Sequence, residues 1–126
     1  MSLKINNAQC DGLDEVRLVA SKEVADFIEE YLNDKDYVVA HTSGSTGEPK
    51  EIRLLKDDMR ASARLTNEFF GIGPGSVLYL CLSVNYIAGK MMIVRALEAG
   101  AEIIEEAPSN TPMAKYDGRE LITMLA

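Results

Sequence analysis

The chemistry in this chain is concentrated in residues 42–50, Thr42-Ser43-Gly44-Ser45-Thr46-Gly47-Glu48-Pro49-Lys50. Four hydroxyl side chains and two glycines fall within the six residues 42–47, and a proline and a lysine follow. Gly44 and Gly47 permit positive φ and close approach of bare backbone to a ligand. A loop of this kind can aim several N–H and O–H donors at one anion, and Lys50 adds a cation. Polyphosphate is the ligand that such a donor set suits. Ser43, Ser45 and Thr46 are the candidate hydroxyl donors, Thr42 begins the loop, and Lys50 is the candidate catalytic cation. Pro49 lacks an N–H and fixes φ, which stiffens the way out. The alternative is a glycine–serine hairpin turn that binds nothing. A turn of about two to five residues would suffice for that, and it would have no use for four hydroxyls.

Two other phosphate loops are excluded. A Walker loop needs Gly-Lys-Ser/Thr at its end, and Glu48 and Pro49 separate Gly47 from Lys50. Gly89-Lys90 is followed by Met91 and has Val84 where the earlier glycine belongs. The run Gly71-Ile72-Gly73-Pro74-Gly75-Ser76 lacks the last glycine of a dinucleotide fingerprint, and Pro74 would break the helix that should open there.

The elements that must position the loop can be read on both sides of it. Tyr37-Val38-Val39-Ala40 reads as a short buried strand leading in, and Glu51-Ile52-Arg53-Leu54-Leu55 as the returning strand of a hairpin. Upstream, residues 1–15 have no clear period and read as an extended or loose arm, followed by a short strand over 16–20. Ser21 is a plausible N-cap for a helix whose apolar stripe is Val24, Phe27, Ile28, Tyr31 and Leu32. Glu23, Asp26, Glu29 and Glu30 fall on its wet face, and residues 33–36 end it.

Downstream, Asp57 and Asp58 begin a helix, where acids favour the macrodipole. Its expected buried face is Met59, Ala63, Thr66 and Phe70, flanked by Ser62, Leu65 and Phe69, with Gly71 as C-terminal cap. After a turn at Pro74-Gly75, residues 76–82 read as a strand buried on both faces. Residues 87–99 read as a buried helix capped by Gly100, and 101–105 as a strand. This is a βαβ unit, which predicts two parallel neighbouring strands. Residues 107–112 read as loop, and 116–125 as the opening of a last helix.

The totals narrow the function classes. The chain has 126 residues, 47% hydrophobic and 26% charged, enough for one domain with a core. The net charge of −7 argues against nucleic acid as a partner. No apolar run approaches the ~20 residues of a membrane span and no signal peptide is read, so a cytoplasmic protein with free thiols at Cys10 and Cys81 is expected. His41, the only histidine, is expected to end its strand and pack. Residues 37–66 carry five basic and four acidic side chains. The basic residues Arg53, Lys56, Arg60 and Arg64 suit an anionic ligand or, equally, a solvated helix face.

Residues 42–50 match without a mismatch the phosphate loop of the adenylate-forming enzymes, the acyl-CoA synthetases, luciferases and adenylation domains. That loop reads roughly Ser/Thr-Ser-Gly-Ser/Thr-Thr-Gly-x-Pro-Lys. The turn Leu82-Ser83-Val84-Asn85-Tyr86-Ile87-Ala88-Gly89 and the helix end Arg95-Ala96-Leu97-Glu98-Ala99-Gly100 also resemble the family in order and spacing. Ser83, Asn85 and Tyr86 replace its usual proline, aromatic and histidine. Within the family the chain looks most like the o-succinylbenzoate–CoA ligases of menaquinone synthesis.

The resemblance implies that residues 1–126 form part of the N-terminal domain of the adenylate-forming fold. That is an α/β architecture with layered helices, a mostly parallel sheet and a hairpin carrying the phosphate loop. It implies ATP bound through Thr42, Ser43, Gly44, Ser45, Thr46, Gly47 and Lys50, with Mg²⁺, CoA as co-substrate and a small carboxylic acid as partner. The acyl side falls to Asn85, Tyr86 and Lys90, because that turn helps line the family's acyl site. The family's adenine and ribose segments and its C-terminal lid have no counterpart in these residues. The chain is therefore expected to be inactive alone and to self-associate through surfaces without packing partners. The competing class is a non-catalytic α/β module that holds a phosphorylated ligand or a partner.

Overall fold

The computed structural model describes residues 3–43, 49–80, 84–105 and 122–125. Two strands open the chain, β1 (Leu3–Ile5) and β2 (Ala8–Cys10), followed by helices α1 (Leu13–Val19) and α2 (Lys22–Leu32). The hairpin β3 (Tyr37–Ser43) and β4 (Pro49–Leu55) comes next, then α3 (Lys56–Phe70), β5 (Val77–Leu80), α4 (Ile87–Ala99), β6 (Glu102–Glu105) and β7 (Ile122–Leu125). β3 and β4 form their own two-stranded sheet, and the other five strands run in the order β2-β1-β6-β5-β7. β6 pairs in parallel with both β1 and β5, and β7 is parallel to β5, while β1 and β2 are antiparallel. The fold is thus α/β with a mostly parallel sheet, as expected.

The βαβ unit is present as read: α4 connects β5 to β6, which are parallel neighbours. All four residues of β5 are buried. Leu78, Leu80 and Ile103 face the main core with the helices, while Val77, Tyr79 and Ile104 pack together in a second cluster. The period of two along each strand sends alternate side chains to the two faces.

Local chemistry explains the helix ends. Ser21 Oγ accepts from the Val24 N–H at 3.3 Å and caps α2, as its sequence position suggests. Gly71 and Gly100 end α3 and α4 with φ of 68° and 69°, the left-handed conformation that glycine adopts without a Cβ penalty.

Five readings are corrected. Residues 1–15 are no loose arm. Asn6 and Asn7, at φ of 50° and 69°, turn β1 back onto β2, and β1 then pairs with β6. A ladder between segments so distant in sequence leaves no local signature. Residues 16–20 are no strand: α1 buries Val16 and packs Leu13 and Val19 against the core, together with its C-cap residue Ala20. That spacing is helical once it is counted from Leu13 rather than Val16. On α3 the buried residues are Lys56, Met59, Ala63 and Asn67, whereas Leu65, Phe69 and Phe70 are exposed. The helix thus turns Asn67 inward, where its Nδ2 donates to the Arg95 carbonyl of α4 at 3.1 Å, and leaves Phe70 outside. Leu32 is exposed at the end of α2, beyond the core. Residues 122–125 form β7 rather than a helix, since the edge of β5 offers backbone partners that four residues cannot reveal by periodicity. The reading of residues 107–121 falls outside the described residues.

Among the described residues, no helix is long and apolar enough to cross a membrane. Cys10 is a free, buried thiol whose pKa is raised by burial and by the carboxylates of Glu15 and Asp11. Cys81 lies outside the described residues.

Candidate functional site

The hairpin places both ends of the 42–50 stretch side by side. Tyr37 pairs with Leu55 at its base, and Thr42 with Lys50 and Ser43 with Pro49 at its far end. Six residue steps at roughly 3.4 Å each put the far end about 20 Å from the base. Val38 and Ala40 are buried, so the inner face of β3 packs on the body, while Lys50 is exposed. The backbone of Thr42 and Ser43 belongs to β3. Gly44, Ser45, Thr46, Gly47 and Glu48 lie outside the described residues. His41 is exposed opposite Glu51 and does not pack into the core, contrary to expectation, because its place in the alternation puts it on the outer face.

The base of the hairpin is pinned to the end of α2. The Lys56 N–H donates to the Asp36 carbonyl at 2.8 Å. Its Nζ donates to Asn33 Oδ1 at 2.7 Å and to the Asn33 carbonyl at 3.1 Å. Burial lowers the Lys56 pKa, with the Arg60 cation adding to the effect. On β3, the Val39 N–H donates to Glu30 Oε2 at 2.9 Å.

Beside the hairpin lies a cleft of about 420 Å³. β4 contributes Arg53, Leu54 and Leu55 to its wall. α3 contributes Asp58, Met59 and Ser62, and the first turns of α4 contribute Ile87 and Met91. The walls are mainly apolar, with Arg53 as cation, its guanidinium 4.6 Å from the Tyr37 ring centroid. Of the four basic residues noted after the loop, Arg53 lines this cleft. Lys56 is buried in the hairpin base, and Arg60 and Arg64 approach Glu98 at 3.7 and 3.8 Å, with Arg60 also bonded to Asp57. Sequence reasoning did not find the cleft. The spacing of Ile87 and Met91, four apart on one helix face, was the available signal.

Asn85 and Tyr86 are exposed on the turn that enters α4, directly before the cleft residue Ile87. Lys90 is buried behind them. Its Nζ donates to the Val84 carbonyl at 2.6 Å and lies 4.9 Å from the Phe27 ring centroid. Burial lowers its pKa, and the Glu30 carboxylate opposes that shift. Among the described residues, no three of His, Cys, Asp and Glu gather as a metal cluster.

No family model matches the chain. Over 76 residues, 60% of this chain, it is 38% identical to a probable 2-succinylbenzoate–CoA ligase of Mycobacterium tuberculosis. An acyl-CoA synthetase (AMP-forming)/AMP-acid ligase II-like protein of Dyadobacter fermentans superposes with a TM-score of 0.67 at 40% identity over 76% of this chain. Over that span the chain is similar to an AMP-forming acyl-CoA synthetase. The o-succinylbenzoate CoA synthetase of Bacillus subtilis, solved with its product analogue OSB-NCoA, shares the fold at a TM-score of 0.59 and 20% identity over 69% of this chain. The chain spans 19% of the M. tuberculosis synthetase and 27% of the D. fermentans one.

Proposed function

We propose that this chain supplies the ATP phosphate-binding part of an ATP-dependent carboxylate–CoA ligase. The observation that carries this reading is the hairpin itself. It pairs Thr42 with Lys50 at its far end, is pinned at its base, and stands beside an apolar cleft, in a chain that over 76% of its length is 40% identical to an AMP-forming acyl-CoA synthetase-like protein. In adenylation a carboxylate oxygen attacks the α-phosphorus of ATP and pyrophosphate leaves. The CoA thiolate then attacks the acyl carbonyl and AMP leaves.

The first step requires two anions to meet and negative charge to be stabilised on the departing phosphates. Lys50 neutralises part of that charge, and Ser43, Ser45 and Thr46 donate hydroxyls. Gly44 and Gly47 allow backbone N–H groups to approach, with Thr42 beginning the loop. Mg²⁺ enters as the counter-ion of ATP. The acyl body occupies the cleft, with Asn85 and Tyr86 at its rim and Lys90 behind them. Arg53 suits a substrate with a second carboxylate, such as o-succinylbenzoate, the acid named for the M. tuberculosis relative.

The adenine pocket, ribose contacts and lid fall to the portion of a complete ligase that this chain does not span, so the chain alone is expected to be catalytically silent. Exposed Leu65, Phe69 and Phe70 make self-association an expected property. A cytoplasmic location fits a consumer of ATP and CoA. The test is ATP–pyrophosphate exchange in a ligase containing this segment, with a panel of acids. Exchange stimulated by o-succinylbenzoate supports the reading. Exchange stimulated by long-chain fatty acids alone rejects the substrate class, and no exchange with any acid rejects the activity.

A further inference from the structure

Lys90 occupies a place where two effects oppose a cation. It lies in the first turn of α4, where the helix dipole presents its positive end, and it is 7% exposed. α4 has no acidic residue in its first turn, and its N-cap residue Tyr86 makes no side-chain cap. A methionine of similar length would carry neither penalty but would leave the Val84 carbonyl without this donor. The lysine is held there by what its ammonium contacts.

What the lysine does is visible in its contacts. Its Nζ reaches back six residues to the Val84 carbonyl at 2.6 Å and rests over Phe27 of α2. One turn later on α2, Glu30 holds the Val39 N–H of β3. α2 therefore touches both the turn 84–86, through Lys90 on Phe27, and the strand that leads into residues 42–50, through Glu30.

We propose that Lys90 is a positioning residue that clamps the turn bearing Asn85 and Tyr86 against α2, and so sets the distance between that turn and the phosphate-loop hairpin. The proposal rests on the reading that this turn borders the acyl site, but the clamp can be tested without catalysis. It differs from a direct substrate contact, because the buried ammonium points at a carbonyl rather than into the cleft.

The experiment is residue-resolved amide exchange and side-chain ¹⁵N NMR on the 126-residue chain. In the wild type, the Lys90 ammonium should give a protected ¹⁵N–¹H signal with a through-space contact to Val84, unlike exposed Lys22. In Lys90→Met, exchange at Asn85 and Tyr86 should quicken about tenfold, while the rest of α4 and the urea midpoint hold or improve. Lys90→Arg, which can still donate to the carbonyl, should restore part of the protection. An unprotected wild-type ammonium overturns the clamp even if the methionine variant fails to fold. Unchanged exchange at the turn, or a uniform change along α4, overturns it as well. A confirmed clamp together with absent ATP–pyrophosphate exchange in the ligase would separate this inference from the functional reading.

Discussion

The carboxylate of Glu30 on α2 accepts the backbone N–H of Val39 on β3 at 2.9 Å. One side chain thereby satisfies a strand-edge donor and couples a helix to the hairpin that ends in residues 42–50. The Glu30→Ala variant leaves that N–H without its charged acceptor and should lose about 1–3 kcal/mol. Glu30→Gln, which retains an acceptor oxygen, should recover much of it. Urea denaturation measures both. A loss below about 0.5 kcal/mol in the alanine variant, the scale of ordinary surface substitutions, would show that the contact does not hold the hairpin.

Asn6 ties three elements together. It adopts φ of 50°, its Nδ2 donates to the Val19 carbonyl at 3.0 Å, and its Oδ1 accepts from the Glu105 N–H at 2.9 Å. Asn6→Ala removes both bonds and places a Cβ residue without side-chain support at positive φ. A loss of roughly 2–4 kcal/mol in urea denaturation is expected. Asn6→Asp, which keeps the acceptor, should lose less. Equal losses in the two variants would contradict this account.

Lys90 carries a pH signature. Burial holds its folded-state pKa below the ordinary value of 10.5. Between the two values the unfolded chain binds more protons, so the stability contributed by this residue rises with pH through that window. Lys90→Met removes the titration. Any advantage of the methionine variant should therefore be greatest near neutral pH and shrink as pH approaches 10.5. Paired urea curves at neutral and alkaline pH measure the difference. A gap that widens with pH would contradict the direction of the shift.

The cleft can be filled from α4. In a ligase containing this segment, Met91→Trp should raise KM for the acid about tenfold or more, the equivalent of ~1.4 kcal/mol, while KM for ATP holds. A rise confined to ATP would move the acyl group out of this cleft.

The contrast between what the residues revealed and what they concealed follows from locality. Helix α4, its Gly100 cap, the Ser21 cap and the hairpin pairing were legible because period, caps and turns act over a few residues. The β1–β6 ladder and β7 were not, because each depends on an edge supplied by a distant segment. The face of α3 was misjudged because Phe69 and Phe70 are apolar yet exposed, whereas Lys56 and Asn67 are polar yet buried with partners. At the candidate site, the nine-residue motif pointed to a phosphate ligand on its own. The cleft needed three elements to be brought together, and the burial of Lys90 needed Phe27 and Val84 to be placed around it.

The most direct measurement is an ¹⁵N–¹H NMR titration of this chain with MgATP and with pyrophosphate, repeated on Lys50→Ala. The account predicts shifts confined to residues 42–50 and their immediate neighbours on β3 and β4. In the variant, affinity should fall about ten- to a hundredfold, as for the loss of a charge-assisted contact worth roughly 1.5–3 kcal/mol. Reproducible shifts elsewhere with this stretch unaffected, or a variant that binds as tightly as the wild type, would contradict it.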